Sequence, residues 1–168
     1  IPSRFVYAPK YNEKGELRYK ARFTAKGFKQ VKGVNFNETF APTLSMTTFR
    51  ILMSLKVQFD YKLWQGDIKN AFVQSKLPEG EVVFLSPPRG WKELCNASGI
   101  TYKNGQLIKL HRCLYGLKQS SYRWNIDFSK VLTSMDYNAS SYDPCLFVKG
   151  KTNNSKTSYI AIWVDDVI

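Results

Sequence analysis

Three aspartates stand apart from their surroundings. Asp165 and Asp166 are adjacent and interrupt the apolar run Tyr159-Ile160-Ala161-Ile162-Trp163-Val164. Asp67 follows a second stretch of strand character, Tyr61-Lys62-Leu63-Trp64-Gln65-Gly66. Neighbouring side chains of a half-buried strand point to opposite faces, so one of two adjacent aspartates would face the core. An unpaired buried carboxylate is costly, which places the pair at a hairpin tip or around a cation. Taken alone, the pair fits a plain turn equally well, because aspartate is common there. Asp67 shifts the balance. Two or three carboxylates are the ligands Mg²⁺ takes, with water and substrate phosphates completing its octahedron. Two such ions activate a nucleophile and stabilise the leaving oxygens of an in-line phosphoryl displacement.

Chemistry on phosphates also needs a cationic surface, and the composition supplies one. The 168 residues carry 25 Lys and Arg against 13 Asp and Glu, a net charge of +12. Nine of the cations and two of the acids fall in residues 1–34. A globular chain so basic binds a polyanion or an anionic surface. The sequence is 43% hydrophobic and 15% aromatic, which argues against disorder. No run approaches the ~18 apolar residues of a membrane span. Cys95, Cys113 and Cys145 are scattered and odd in number, a pattern that suits a reducing compartment. Ile1-Pro2-Ser3-Arg4 does not resemble a signal peptide, and both ends read as cut from a longer chain. His111 and Cys113 lack the paired spacing of a zinc site.

The elements that must position these residues follow from periodicity. Asn12-Glu13-Lys14-Gly15-Glu16 separates two strand-like runs, a β-hairpin signal. In its second run Tyr19, Ala21 and Phe23 alternate with Lys20, Arg22 and Thr24, predicting one packed and one cationic face. Phe49, Leu52, Met53, Leu55 and Phe59 mark a helix over 46–59, capped by Ser45. A strand over 61–68 is expected to end near Asp67, followed by a short helix over 69–77 that Pro78 stops. Val82–Leu85 and Gln106–Leu110 read as strands, with 92–106 a polar surface loop. Trp124, Phe128, Val131, Leu132 and Met135 mark the apolar face of a long helix. Cys145–Lys149 and Ser158–Val164 read as closing strands, the latter still under way at residue 168. The fold class expected is α+β, helices packed on a mostly antiparallel sheet, in one domain.

Five blocks of the sequence resemble, in order, those of copia-like retrotransposon reverse transcriptases. They are Lys20-Ala21-Arg22-Phe23-Thr24-Ala25-Lys26-Gly27-Phe28-Lys29-Gln30, Glu38-Thr39-Phe40-Ala41-Pro42, Gln65-Gly66-Asp67-Ile68-Lys69-Asn70-Ala71-Phe72, Leu114-Tyr115-Gly116-Leu117-Lys118-Gln119 and Trp163-Val164-Asp165-Asp166. The resemblance implies a partial domain of fingers and palm without a thumb. Residues 1–60 and 78–115 would be fingers-like, 61–77 and 116–168 palm-like. It implies that Asp67, Asp165 and Asp166, with the Ile68 carbonyl, hold Mg²⁺ (or Mn²⁺). Lys20 and Arg22 would clamp the dNTP triphosphate. Phe72 would lie under the sugar and exclude a 2′-hydroxyl, with Tyr115 and Gly116 lining the same pocket. Trp163, Val164, Lys118 and Gln119 would lie along template and primer.

The same resemblance implies an RNA template, a DNA primer or duplex and dNTPs as partners. It implies a Gag-Pol polyprotein supplying thumb, RNase H and integrase, within the intracellular, cytoplasmic virus-like particle of the element. Trp163 stands where the family usually has tyrosine, and Ser121-Tyr122 where it usually has proline and arginine. Two other readings compete with a polymerase: a non-catalytic basic nucleic-acid-binding domain and a metal-dependent nuclease. The former leaves the three carboxylates without a purpose, since acids repel a phosphate ligand.

Overall fold

The turn at Asn12 shows how local chemistry starts this fold. In the computed structural model, which describes residues 1–150 and 157–168, the Asn12 carboxamide oxygen accepts from the Lys14 and Glu16 amides at 3.0 and 2.8 Å. Gly15, at φ 76°, lets the chain reverse. The flanking strands are β1 (Ser3–Tyr11) and β2 (Leu17–Ala25). Then follow α1 (Met46–Phe59), β3 (Gly66–Asp67), α2 (Ala71–Gln74), β4 (Phe84–Leu85), α3 (Trp91–Ala97) and β5 (Ile108–Lys109). The rest are α4 (Ser120–Ser134), β6 (Asn138–Ala139), β7 (Leu146–Lys149), β8 (Ser158–Trp163) and β9 (Asp166–Val167). The architecture is α+β, and every pairing between these strands is antiparallel.

The chain forms two compact units, residues 1–39 with 72–120, and 40–71 with 121–168. In the first unit β1 pairs with β2 and β4 with β5. Ala25, Val83, Leu85, Leu114 and Leu117 form its core. The segment expected as a loop over 92–106 begins instead as a helix, α3, because Trp91 is anchored. Its ring stacks against Phe5 and Phe23 at centroid distances of 6.4 and 5.4 Å, and Cys95 on the next turn is buried.

Two backbones cross in this unit so closely that only glycine fits. The Ala25 amide donates to the Tyr115 carbonyl at 2.9 Å. A β-carbon on Gly27 would collide with the Gly116 carbonyl oxygen, and one on Gly116 with the Ala25 carbonyl oxygen. Gly116 also holds φ 89°, which L side chains rarely adopt. Beside the crossing, Gln30 and Gln119 are buried and share a 2.9 Å hydrogen bond. Gln30 further accepts from the Lys118 amide, and Gln119 donates to the Asn35 carbonyl and to Glu81.

In the second unit the sheet order is β3-β9-β8-β7-β6. On β8, Ala161 and Tyr159 pack with Leu44, Phe49, Leu52 and Met53 of α1 and its approach. Ile160 and Ile162 pack with Phe128 and Leu132 of α4. The alternation along β8 thus places one helix on each face of the sheet. Helix α1 starts where Ser45 predicts, its hydroxyl accepting from the Thr48 amide at 3.0 Å. The buried Asp143 accepts from the Ser45 and Cys145 amides at 2.9 and 3.0 Å.

Several expectations are corrected. The strand over 61–68 is reduced to Gly66–Asp67, and the helix over 69–77 to Ala71–Gln74. Val131 and Met135 are exposed, so the buried stripe of α4 is Trp124, Phe128 and Leu132. The chain reverses at Val164-Asp165 rather than continuing as one strand. The two units change over after residues 39, 71 and 120. Residues 40–60 join 121–168 because α1 packs on the sheet, and 72–77 join 1–39 because Val73 and Leu77 pack against the first core.

Two predictions follow from this packing. Gly116→Ala combines a collision with a left-handed backbone and should cost on the order of 2–4 kcal/mol in urea unfolding. Gly15→Ala, with φ 76° and open space around it, should cost about 1 kcal/mol. Equal costs would contradict the crossing. For Asp143, burial alone would raise the pKa, but bonds from Thr48, Ser45 and Cys145 outweigh it and hold the carboxyl below its usual range. A depressed folded pKa means stability present above the unfolded value near ~4 and lost as pH falls through the folded one. Asp143→Ala should therefore cost about 1–3 kcal/mol at pH 7 and less at low pH, read from thermal unfolding across pH.

Candidate active site

The register of three strands brings two of the acidic residues together. Asp67 on β3 lies directly opposite Asp166 on β9, and Asp166 opposite Trp163 on β8. The Ile68 amide donates to the Asp165 carbonyl at 2.8 Å. That bond makes Asp67 and Asp166 a non-hydrogen-bonded pair, the closer kind, with Cα atoms about 4.5 Å apart. Directly opposed residues share a face, so the two carboxylates stand side by side. Asp165 is the second residue of the two-residue turn between β8 and β9.

Two like charges opposite one another are unfavourable without a counter-charge. None of the three carboxylates has a side-chain hydrogen bond or ion pair among the described residues. Asp67 and Asp166 are exposed and Asp165 is half-buried, so all three are open to a cation from solvent. The donor set is oxygen alone, which suits Mg²⁺ or Mn²⁺ rather than a softer metal. No group of three potential ligands converges into a preassembled cluster among the described residues. Mg²⁺ sites of this type are completed by water and substrate phosphates, and the residues present fit that pattern.

The turn itself has a feature that sequence reasoning missed. Val164, its first residue, is β-branched yet has φ 61°, a conformation such residues avoid. Its carbonyl accepts a hydrogen bond of 2.6 Å from the Trp124 indole N–H on α4. Sequence pattern assigns Trp124 to the core, where it does lie; no sequence signal reveals the carbonyl it serves.

The remaining candidates lie in the first unit. Lys20 and Arg22 project from one face of the β1–β2 hairpin together with Arg4, Lys10 and Arg18. The expected cationic face is thus real, carrying five cations. The opposite face is packed at its base through Phe5 and Phe23, while Tyr7, Tyr11 and Tyr19 are exposed near the tip. Phe72 and Tyr115 form a half-buried edge-to-face pair with ring centroids 5.0 Å apart. Lys118 is exposed, its ammonium 4.8 Å from the centre of the Phe36 ring. Gln119, expected along the template, is 1% exposed. Its amide is engaged internally, so it supports the Gly116 turn and does not present a surface to nucleic acid. Gln30, at the centre of that network, went unnoticed in the sequence for want of any periodic signal.

All three cysteines are buried and outside any disulfide. Burial, with the Asp143 charge beside it, pushes the Cys145 thiol up to about 11, so it stays protonated and unreactive. Among the described residues no helix is long and apolar enough to cross a membrane.

Comparison with known proteins identifies the family. The family described as Reverse transcriptase (RNA-dependent DNA polymerase) matches residues 1–168. The chain is 34% identical over 152 residues to the Retrovirus-related Pol polyprotein from transposon TNT 1-94 of Nicotiana tabacum, covering 90% of this chain. It is 33% and 31% identical to the corresponding polyproteins from transposons RE1 and RE2 of Arabidopsis thaliana, covering all of this chain. The chain spans 11% of the length of each of these relatives. No solved structure is a significant match. The family match over the whole length and the polyprotein relatives show that the chain belongs to the reverse transcriptases, in their copia-like retrotransposon branch.

Proposed function

We propose that this chain carries the catalytic centre of RNA- and DNA-templated DNA synthesis. The observation that carries the reading is the pairing of Asp67 with Asp166 beside Asp165, three carboxylates with no ion-pair partner among the described residues of a chain of net charge +12. In the reaction a primer 3′-hydroxyl loses its proton and its oxygen bonds to the α-phosphorus of a dNTP. The bond to the bridging oxygen breaks in line, and pyrophosphate leaves. Bound Mg²⁺ would favour the alkoxide and offset the charge on pyrophosphate. Asp67, Asp165 and Asp166 would hold it, with the Ile68 carbonyl as a further oxygen.

The rest of the machinery serves positioning and charge stabilisation, which dominate phosphoryl transfer. Lys20 and Arg22, on the five-cation face, suit the triphosphate. Phe72, braced by Tyr115, suits the sugar. Trp163 is half-exposed in the row of Asp166 and Asp67, where an aromatic ring can stack on the primer end. Template, primer and dNTP are the substrates of this reading. The longer polyproteins of the relatives leave room for thumb, RNase H and integrase parts.

Asp67→Asn in the full-length enzyme separates catalysis from folding. Primer extension should fall by on the order of 100-fold or more. Without divalent cation the fold should gain slightly in stability, since a like-charge contact is relieved. Retained extension would contradict the assignment. Degradation of the primer by the wild-type enzyme, in place of extension, would point to the nuclease.

Phe72→Val tests the sugar contact. If the ring excludes a 2′-hydroxyl, the ratio of kcat/KM for dNTP over rNTP should shrink. If Phe72 serves packing alone, both values fall together with about 1–3 kcal/mol of stability, and the ratio stays put.

A further inference from the structure

The turn bearing Asp165 is held in a conformation that its own sequence disfavours. A two-residue hairpin turn needs φ above zero at its first position, the usual place for glycine. Here that position is Val164, at φ 61°. Such a residue persists only where its surroundings over-determine it. The surroundings are specific. The Trp124 indole N–H reaches the Val164 carbonyl at 2.6 Å. The Trp124 ring is 6% exposed and stacks on Phe128 at 5.0 Å with the planes 10° apart. A buried indole N–H needs an acceptor, and a ring so confined cannot follow the turn if it relaxes.

We propose that Trp124 is a positioning residue for the carboxylate hairpin. By gripping the Val164 carbonyl it fixes the left-handed turn, and thereby the placement of Asp165 and Asp166 against Asp67. A relaxed Val164 would rotate the peptide that joins it to Asp165 and change where that carboxylate points. The inference rests on the reading of the aspartates as the cation site, and it assigns to the helix behind the sheet a share in the catalytic geometry.

The test is a double-mutant cycle in the full-length enzyme with Trp124→Phe, Val164→Gly and the pair. Phenylalanine keeps a buried ring and removes the N–H; glycine accepts the positive φ without support. Trp124→Phe should lower kcat by about 10-fold or more, with KM for dNTP changed less than about 2-fold, because ligand geometry and not nucleotide binding is disturbed. In the Val164→Gly background the same change should cost less than about 3-fold, the mark of coupled residues. Hydrogen exchange over residues 160–168 should accelerate with Trp124→Phe and less so when Val164 is glycine. Equal losses in both backgrounds, or no loss in either, would overturn the proposal and leave Trp124 as packing alone. Should Trp124→Phe fail to fold, benzothienylalanine at position 124 keeps the bicyclic shape, replaces N–H by sulfur and carries the same expectations. A wild-type enzyme without primer extension would overturn the reading of the aspartates, and the exchange cycle would still decide whether Trp124 holds the turn.

Discussion

An antiparallel ladder sets directly opposed side chains closer than any spacing along one strand allows, and this protein uses that proximity on two aspartates. Asp67 and Asp166 face each other on strands of two residues each. Strands so short have no stability of their own. They depend on β8, which pairs with both β7 and β9 and is covered by α1 on one face and α4 on the other. A register slip of one residue would send both carboxylates to the opposite face. The packing of Ala161 and Ile162 therefore fixes the electrostatics of the site as surely as the aspartates do. The repulsion between them is what a divalent cation bound there, as proposed, would relieve.

The first unit rests on a different kind of contact. The backbones at Ala25–Gly27 and Tyr115–Gly116 meet without room for a β-carbon. The glutamine pair beside them satisfies its polar groups internally, so the crossing is rigid as well as close. The five-cation hairpin is continuous with one side of this crossing, and the Phe72–Tyr115 pair with the other. Two sequence blocks of the family, Ala25-Lys26-Gly27 and Leu114-Tyr115-Gly116, are thereby the two halves of one structural joint.

Much of this was legible in the residues. Helix α1, its Ser45 cap and the Asn12 turn were read to the residue, because each depends on chemistry within a few positions. The cationic face of β2 followed from alternation alone. What escaped were features set by contacts distant in sequence. The helix at Trp91 exists because two phenylalanines of the hairpin hold its indole. The extended run over 61–65 has strand composition but no partner strand among the described residues. Of the site, the three aspartates were visible as charges out of place. Their pairing partners were not, nor was the Trp124 bond, since a tryptophan on an apolar helical stripe looks like core whichever carbonyl it serves. Gln119 misled in the opposite direction: its block marks a joint in the fold, and its polar side chain is spent inside.

Asp67, Asp165 and Asp166 are proposed to hold divalent cations for nucleotidyl transfer. Anomalous scattering from crystals of the full-length enzyme with Mn²⁺, primer-template and a non-hydrolysable dNTP tests this assignment most directly. Two peaks about 3.5–4 Å apart are expected, within about 2.2 Å of carboxylate oxygens of Asp67 and of at least one of Asp165 and Asp166. Mn²⁺ bound elsewhere, or bound with Asp67 outside its coordination sphere, would contradict it.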